Sequence, residues 1–323
     1  MSSDTGSKIE DFIREWRSKT PYIEAHTSGS TGKPKEIRLP KQLVRESALR
    51  SCRHFGIREG DRLHLCLSPD YIAGKMLIVR ALEACARLTF EGPSSAPLAG
   101  NTDTQEIRLI SIVGSQLEGL RRSMDLLPQL RIRHLLAGGA PLTSSMRRLA
   151  AEGPWDAAWE SYGMTETASH VALRRITPQG LNPFEALDGI HFTLTDEDCL
   201  IIHLPGQEPL ITNDIAELLT PRSFVLRGRR DNVVITGGLK VFPEETERAI
   251  GPLIPKGRDF YVTSEPSEKW GRSLLLLIEG IPISLSVKGL YASGLPHWQL
   301  PKRIIFIPEF RRTSTGKIIR TKL

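Results

Sequence analysis

Ile132-Arg133-His134-Leu135-Leu136-Ala137-Gly138-Gly139-Ala140-Pro141-Leu142-Thr143 joins an apolar run, a glycine turn and a helix-capping residue. Ile132 to Leu136 is short and apolar, as a buried strand is. Gly138-Gly139-Ala140-Pro141 reads as a turn, and Thr143 caps the helix expected after it. The same unit recurs upstream. Leu63 to Leu67 reads as a strand, and Tyr71 to Ala86 as an apolar-rich helix with Arg80, Glu83 and Arg87 on one polar stripe. Leu109 to Val113 is a third strand, followed by a helix from Gln116 to Leu127. Strand and helix in alternation predict an α/β large domain whose mostly parallel sheet is covered on both faces.

The pattern then changes. Short strands at Ile190–Leu194, Leu200–His203, Ile215–Leu219 and Phe224–Leu226 predict a β-rich subdomain. Beyond Asp231, Pro243 opens a helix over Glu244 to Ile250, as proline does at a first helical position. Strands follow at Asp259–Thr263, Arg272–Ile278 and Arg303–Ile307. The expectation is a large domain over 1–230 and a small, mobile α+β domain over 231–323.

Composition limits the function classes. Of 323 residues, 40% are hydrophobic and 25% charged, which excludes a disordered chain, a collagen and a coiled coil. The longest strongly apolar run, Leu274 to Ile278, is far short of the roughly 20 residues of a membrane span. Met1 to Lys8 is polar and lacks a secretory core. Cys52, Cys66, Cys85 and Cys199 show neither Cys-x-x-Cys pairing nor metal-ligand spacing with histidine, as expected of reduced thiols in the cytoplasm. Net charge is +6, and residues 284–323 hold eight basic side chains against one acidic one. Such a tail attracts anions. With 6% aromatic residues and none interleaved with the basic ones, phosphorylated small molecules are the expected partners, not nucleic acid.

Five stretches carry candidate chemistry. Thr27-Ser28-Gly29-Ser30-Thr31-Gly32-Lys33-Pro34-Lys35 packs hydroxyls, glycines and lysines together. Glycines let backbone N–H groups approach an anion, and hydroxyls and lysines supply donors and charge. It is not a Walker loop, since Thr27 stands where that pattern needs a glycine. A flexible linker competes, but the lysines and Pro34 weigh against it. In Ser161-Tyr162-Gly163-Met164-Thr165-Glu166-Thr167, Glu166 suits a divalent cation beside phosphates and Tyr162 suits stacking. A strand-to-helix turn capped by Thr165 is the plainer alternative. Thr212-Asn213-Asp214 offers an acceptor for ribose hydroxyls, or an Asx turn. Gly228-Arg229-Arg230-Asp231-Asn232 with Gly237-Gly238 reads alone as a linker, and Arg312 to Arg320, holding Lys317, as a solvated charge run.

In this order and spacing the five stretches resemble the adenylate-forming superfamily of acyl-CoA synthetases, adenylation domains and luciferases. The resemblance runs from Thr27 to the end of the chain. It implies that Thr27, Ser28, Gly29, Ser30, Thr31, Gly32 and Lys33 hold the phosphates of ATP. Gly138, Gly139, Ala140 and Pro141 would face adenine, and Tyr162, Gly163, Met164 and Thr165 would line the nucleotide site. Glu166 would hold Mg²⁺, Asp214 and Arg229 the ribose, and Asp231 would be the interdomain hinge. Lys317 would be the catalytic lysine of adenylation, with Gly237, Gly238 and Trp270 at CoA. Two departures stand out: Asn213 replaces the glycine that usually precedes the ribose aspartate, and the long region usual before the phosphate loop is missing.

Ser68 to Ala81 resembles the branch of that superfamily that joins o-succinylbenzoate to CoA in menaquinone biosynthesis. Tyr71, Gly74, Lys75 and Arg80 would line its acid pocket. That acid is a dianion, and the carboxylate that does not react needs a cationic partner. Arg80 is the first choice, because arginine grips a carboxylate with two parallel bonds, and Lys75 the second. A surface pair of Arg80 with Glu83 is the competing reading. Other acyl-CoA ligases, a nucleotide-binding pseudo-enzyme and nucleic-acid binding by the basic tail are the alternative functions. A homo-oligomer is compatible with all of them.

Overall fold

The computed structural model describes residues 2–26, 36–255, 257–313 and 318–321. The expected phosphate loop, Thr27 to Lys35, and Lys317 lie outside the described residues. The chain divides by its contacts into two compact units: 1–142 with 146–190, and 143–145 with 191–323. Asp231, the expected hinge, therefore lies within the second unit.

The first unit begins with α1 (Ser2–Arg17), β1 (Tyr22–His26), β2 (Glu36–Pro40) and α2 (Lys41–Phe55). It continues with β3 (Arg62–Leu65), α3 (Ile72–Glu83), β4 (Arg87–Phe90), β5 (Ile107–Val113), α4 (Leu117–Asp125), β6 (Ile132–Gly138) and α5 (Ser144–Ala151). β7 (Trp155–Met164), β8 (Ser169–Thr177), β9 (Gly180–Leu181) and β10 (Phe184–Ala186) close it. Its sheet runs β10-β8-β7-β6-β5-β3-β4. β4, β3, β5, β6 and β7 are parallel, while β8 is antiparallel to β7 and to β10. Every residue of β3 is buried, as in a strand covered on both faces. One hydrophobic cluster joins Ile110 and Ile112 of β5, Leu135 of β6, Ala158 of β7 and Leu117, Leu120 and Met124 of α4.

The helix expected from Tyr71 to Ala86 is shorter. Cys85 adopts φ 51°, in the left-handed region, and α3 stops at Glu83. β1 and β2 pair antiparallel with His26 opposite Glu36. β8 and the helices α1 and α2 were not anticipated from the sequence.

The second unit holds β11 (His191–Leu194), β12 (Cys199–His203), β13 (Leu210–Thr220) and β14 (Ser223–Arg229), an antiparallel meander. β15 (Val234–Thr236) and β16 (Leu239–Val241) form a hairpin. α6 (Pro243–Ile250) and a sheet of β17 (Phe260–Ser267), β18 (Gly271–Glu279) and β19 (Arg303–Ile307) follow. β18 is antiparallel to β17 and parallel to β19. Their core gathers Val234, Val241, Ile250, Leu274, Leu276 and Ile278.

No described helix is long and apolar enough to cross a membrane. Much of the tail's positive charge is neutralised in place. Arg303 pairs with Glu265 at 2.6 Å, Arg312 with Glu279 and Asp259 at 2.5 and 2.7 Å, and Arg320 with Glu247 at 2.6 Å. Arg312, one of the basic residues of the tail expected to attract anions, is committed to carboxylates.

Gly74, expected in the acid pocket, has a packing role in α3: a Cβ there would overlap the Ser68 carbonyl oxygen. Gly74→Ala gains about 1 kcal/mol of helix propensity, against roughly 1–3 kcal/mol for overpacking a tight contact. A net loss is expected as a lower denaturation midpoint, and an unchanged or raised midpoint would show that the Ser68 loop yields.

Candidate active site

In the first unit the site is built around the end of β6 and along β7. Gly138 has no room for a side chain, because a Cβ would overlap Ser161 Oγ. Gly139 adopts φ 84°, which favours glycine. Gly139, Ala140 and Pro141 are exposed, so the turn presents backbone groups to solvent, as recognition of a base edge requires.

One carboxylate fastens this turn. Glu160 of β7 is 3% exposed and accepts from the Leu142 backbone N–H at 3.1 Å. It also accepts from Arg147 Nε at 3.0 Å, and from Arg174 Nε at 3.0 Å and Nη2 at 2.7 Å. Burial alone would raise its pKa, but Arg174 and Arg147 outweigh burial and hold it below the ordinary value. Sequence reading missed Glu160, since its partners lie on α5 and β8.

At the end of β7, Tyr162 is buried and its ring centroid lies 5.7 Å from that of Phe184. Thr165 is buried and Glu166 exposed in a single turn of 3₁₀ helix that ends at Thr167. The helix expected to follow Thr165 is absent, because Ala168 and Ser169 take φ 51° and 100° and turn the chain back as β8. Consecutive non-glycine residues in this region store strain of order 1–3 kcal/mol each. Gly163 admits the turn, since a Cβ there would overlap the Ser169 carbonyl oxygen. Met164 N–H donates to Thr167 Oγ1 at 3.0 Å. Among the described residues no three His, Cys, Asp or Glu side chains gather as a metal site. Glu166 still fits a hard cation such as Mg²⁺, which takes one or two carboxylates and completes its shell with phosphate oxygens and water.

The strained turn faces Arg80, which is 1% exposed. Its Nη2 reaches Ser169 Oγ and His170 Nδ1, each at 3.4 Å, and its buried Nε has no hydrogen-bond partner among the described residues. Glu83 pairs with Arg45 at 3.1 Å, so the surface pair Arg80–Glu83 is not what forms. Burial lowers the Arg80 pKa to about 10. Arg62 is as deeply buried but fully bonded: it donates to Thr89 Oγ1, to the Asp103 and Gln105 carbonyls and to Asn101 Oδ1 at 2.9–3.3 Å. Lys75 is also committed. Its Nζ donates to the Glu24 carbonyl at 2.8 Å, pairs with Glu15 at 3.5 Å and lies 4.8 Å over the Phe12 ring. Lys75 therefore ties α3 to α1 and β1, and Tyr71 is the residue before the first turn of α3.

The second unit brings together the expected ribose and hinge residues. Asp214 lies within β13, opposite Arg229 of β14, and the two pair at 3.1 Å. Arg229 also reaches Asp231 at 3.4 Å. Asn213 donates to Asp231 at 3.3 Å and accepts from Arg230 at 3.0 Å, so the residue that departs from the glycine pattern braces the hinge position. Gly237 and Gly238, at φ 54° and 80°, form the two-residue turn between β15 and β16, as such hairpins require. Trp270, 43% exposed, packs on Gly237 and its carbonyl accepts from Gly237 N–H at 3.0 Å. Lys269 Nζ lies 4.8 Å over the Trp270 ring, adding an exposed cation to the three expected CoA residues. Arg312 and Ile318 form a bridge, and Ile319 N–H donates to the Arg311 carbonyl at 2.8 Å.

Known proteins resemble this chain over most of its length. The sequence model of the AMP-binding enzyme family matches residues 6–228. A 2-succinylbenzoate–CoA ligase of Listeria monocytogenes is 25% identical over 99% of this chain and 73% of its own length. A Lactococcus lactis protein of the same name is 24% identical over 92% of this chain and 69% of its own. Among solved structures, an acyl-CoA synthetase (AMP-forming)/AMP-acid ligase II-like protein from Dyadobacter fermentans is 30% identical with a TM-score of 0.65, covering 97% of this chain and 92% of its own. The o-succinylbenzoate CoA synthetase of Bacillus subtilis, solved with an acyl-adenylate intermediate, is 21% identical with a TM-score of 0.78, covering 92% and 67%.

Glu160→Gln removes the charge that two arginines share, and breaking a buried ion pair costs about 3–5 kcal/mol. Because the folded carboxyl titrates below its ordinary 4.5, its stabilisation is present above that pH and is lost as pH falls through the depressed value. The variant should be less stable at neutral pH and lose less on acidification, which urea midpoints at several pH values measure. Parallel pH curves for the two proteins would show that Glu160 is not a stabilising charge.

Proposed function

The chain belongs to the AMP-binding enzyme family, the adenylate-forming acyl-CoA ligases, and on that premise we propose that it activates o-succinylbenzoate with ATP and transfers it to CoA. Arg80 carries this reading. A guanidinium that is 1% exposed and lacks a carboxylate partner among the described residues is costly in the ligand-free protein. A substrate with a second carboxylate supplies the missing charge through two parallel hydrogen bonds. A fatty acid or benzoate has only the reacting carboxylate and would leave Arg80 uncompensated. The curated relatives, named for 2-succinylbenzoate, support the same substrate. ATP and CoA as cosubstrates fit a cytoplasmic setting.

The reaction has two halves. A carboxylate oxygen attacks the α-phosphorus of ATP, the new O–P bond forms and the bond to pyrophosphate breaks. Negative charge spreads over the phosphate oxygens, and Lys317 with the Thr27–Lys33 loop offsets it. Glu166 would hold Mg²⁺, which would supply neutralisation of the phosphate charge. Gly138 to Pro141 and Tyr162 position adenine, and Asp214 with Arg229 positions the ribose. In the second half the CoA thiol attacks the mixed anhydride and AMP leaves. Asp231 is the hinge between the halves, since a few such residues absorb the backbone change of a domain rotation. The Gly237-Gly238 turn and Trp270 then contact the pantetheine arm of CoA.

Incubation with ATP, Mg²⁺, CoA and a panel of o-succinylbenzoate, benzoate, succinate and octanoate tests the reading by mass spectrometry. The expected products are the o-succinylbenzoyl thioester and AMP, with the monocarboxylates poor substrates. AMP without thioester would point to another acceptor, and neither product to a nucleotide-binding pseudo-enzyme. Lys317→Ala should slow adenylation by on the order of 10²-fold or more and spare thioester formation from presynthesised acyl-adenylate. Equal damage to both halves would end that role. Arg80→Ala should raise KM for o-succinylbenzoate roughly 10- to 100-fold, the cost of charged hydrogen bonds, with KM for ATP unchanged. Lys75→Ala should leave the acid KM nearly untouched, and the reverse ranking would make Lys75 the anion ligand.

A further inference from the structure

Behind Arg80 stands a polar pair that neither composition nor motif reveals. Ser51 of α2 and His170 of β8 are both buried, with Ser51 Oγ 2.6 Å from His170 Nε2. The other ring nitrogen, Nδ1, lies 3.4 Å from Arg80 Nη2. A guanidinium nitrogen only donates, so Nδ1 accepts. The neutral ring then carries its proton on Nε2 and donates it to Ser51 Oγ. Burial, then the Arg80 charge beside the ring, keeps His170 neutral by lowering its pKa well below the ordinary value.

The surroundings fix the ring. Phe55 lies edge-on to it with centroids 6.3 Å apart. Ser47, one turn before Ser51 on α2, donates to the Ala168 carbonyl at 2.9 Å, and Thr167 Oγ1 donates to the Ser169 carbonyl at 2.6 Å. The strained turn at Ala168 and Ser169 is thus bonded on both sides immediately before His170.

We propose that His170, anchored at Nε2 by Ser51, is a positioning residue that orients the Arg80 guanidinium toward the second carboxylate of the acid substrate. This rests on the reading that Arg80 binds that carboxylate. A neutral acceptor suits the task. It takes one N–H of the guanidinium and leaves its charge and Nε free for the substrate. A carboxylate at position 170 would orient Arg80 equally well but would cancel the charge the substrate needs. Without an acceptor, Arg80 keeps only the 3.4 Å contact to Ser169, and a long side chain regains rotamer freedom.

Steady-state kinetics of the full chain with o-succinylbenzoate, ATP and CoA tests this. His170→Phe keeps an aromatic ring but removes both nitrogens, and should raise KM for the acid about 10-fold, the scale of one buried hydrogen bond lost. KM for ATP should not move. His170→Gln offers an acceptor to Arg80 and a donor to Ser51, and should recover most of the loss. An unchanged acid KM in His170→Phe, or acid and ATP KM rising together, would overturn the proposal. If His170→Phe fails to fold, Ser51→Ala takes its place: it removes the ring's anchor at Nε2 and should raise the acid KM by roughly 3- to 10-fold, and no change overturns the role. Arg80→Ala separates the two ideas. If it leaves acid KM unchanged, the substrate reading fails. If it raises acid KM while His170→Phe does not, only the positioning role fails.

Discussion

Glu160 is the charge on which the first unit's site depends. An isolated buried carboxylate is expensive, and this one persists because two arginines and a backbone N–H converge on it. Each partner arrives on a different part of the chain: Leu142 from the glycine turn, Arg147 from α5 and Arg174 from β8. The parallel sheet supplies the rigid end of β7, and Glu160 makes that end the fixed point for its neighbours. The Gly138–Pro141 turn and the strained Ser169 turn both touch β7, so the proposed nucleotide and acid sides share one strand.

Two buried arginines of this unit differ in how their donors are met. Arg62 has its donors matched by carbonyls and side chains, and its role is structural. Arg80 has long contacts and an unmatched Nε. Stability alone would remove such a group, since a well-packed apolar residue costs less than an uncompensated charge. Its presence is best explained by an anion that arrives from outside. The strain at Ala168 and Ser169 belongs to the same economy, in which a site retains local cost where geometry matters.

The parallel core was legible because strand-like and helical segments alternate along the chain, although Arg62, His64, Arg108, Arg133 and His134 interrupt the apolar runs of β3, β5 and β6. The Pro243 helix and the strands after it were legible for similar reasons. The order of the motifs placed Asp214 beside Arg229 and Gly237 beside Trp270, and both pairs meet in the second unit. Periodicity did not reveal β8, whose start is set by left-handed residues with no glycine to signal them. Glu160, Ser51 and His170 were invisible because their meaning lies in partners on other elements. The tail misled for the same reason: Arg303, Arg312 and Arg320 look like free charge in sequence, while their carboxylates sit on other strands and on α6.

The abrupt end of α3 at Cys85 leaves the protein with an intrinsic spectroscopic handle. Cys52, Cys66 and Cys199 are buried, and Cys85 is exposed at the foot of the helix that carries Arg80. Burial also raises the Cys52 and Cys66 thiol pKa values, which suppresses their reaction with alkylating dyes. A maleimide fluorophore added to the native chain would therefore report from one defined address, and the motion of α3 could be followed without engineering a cysteine.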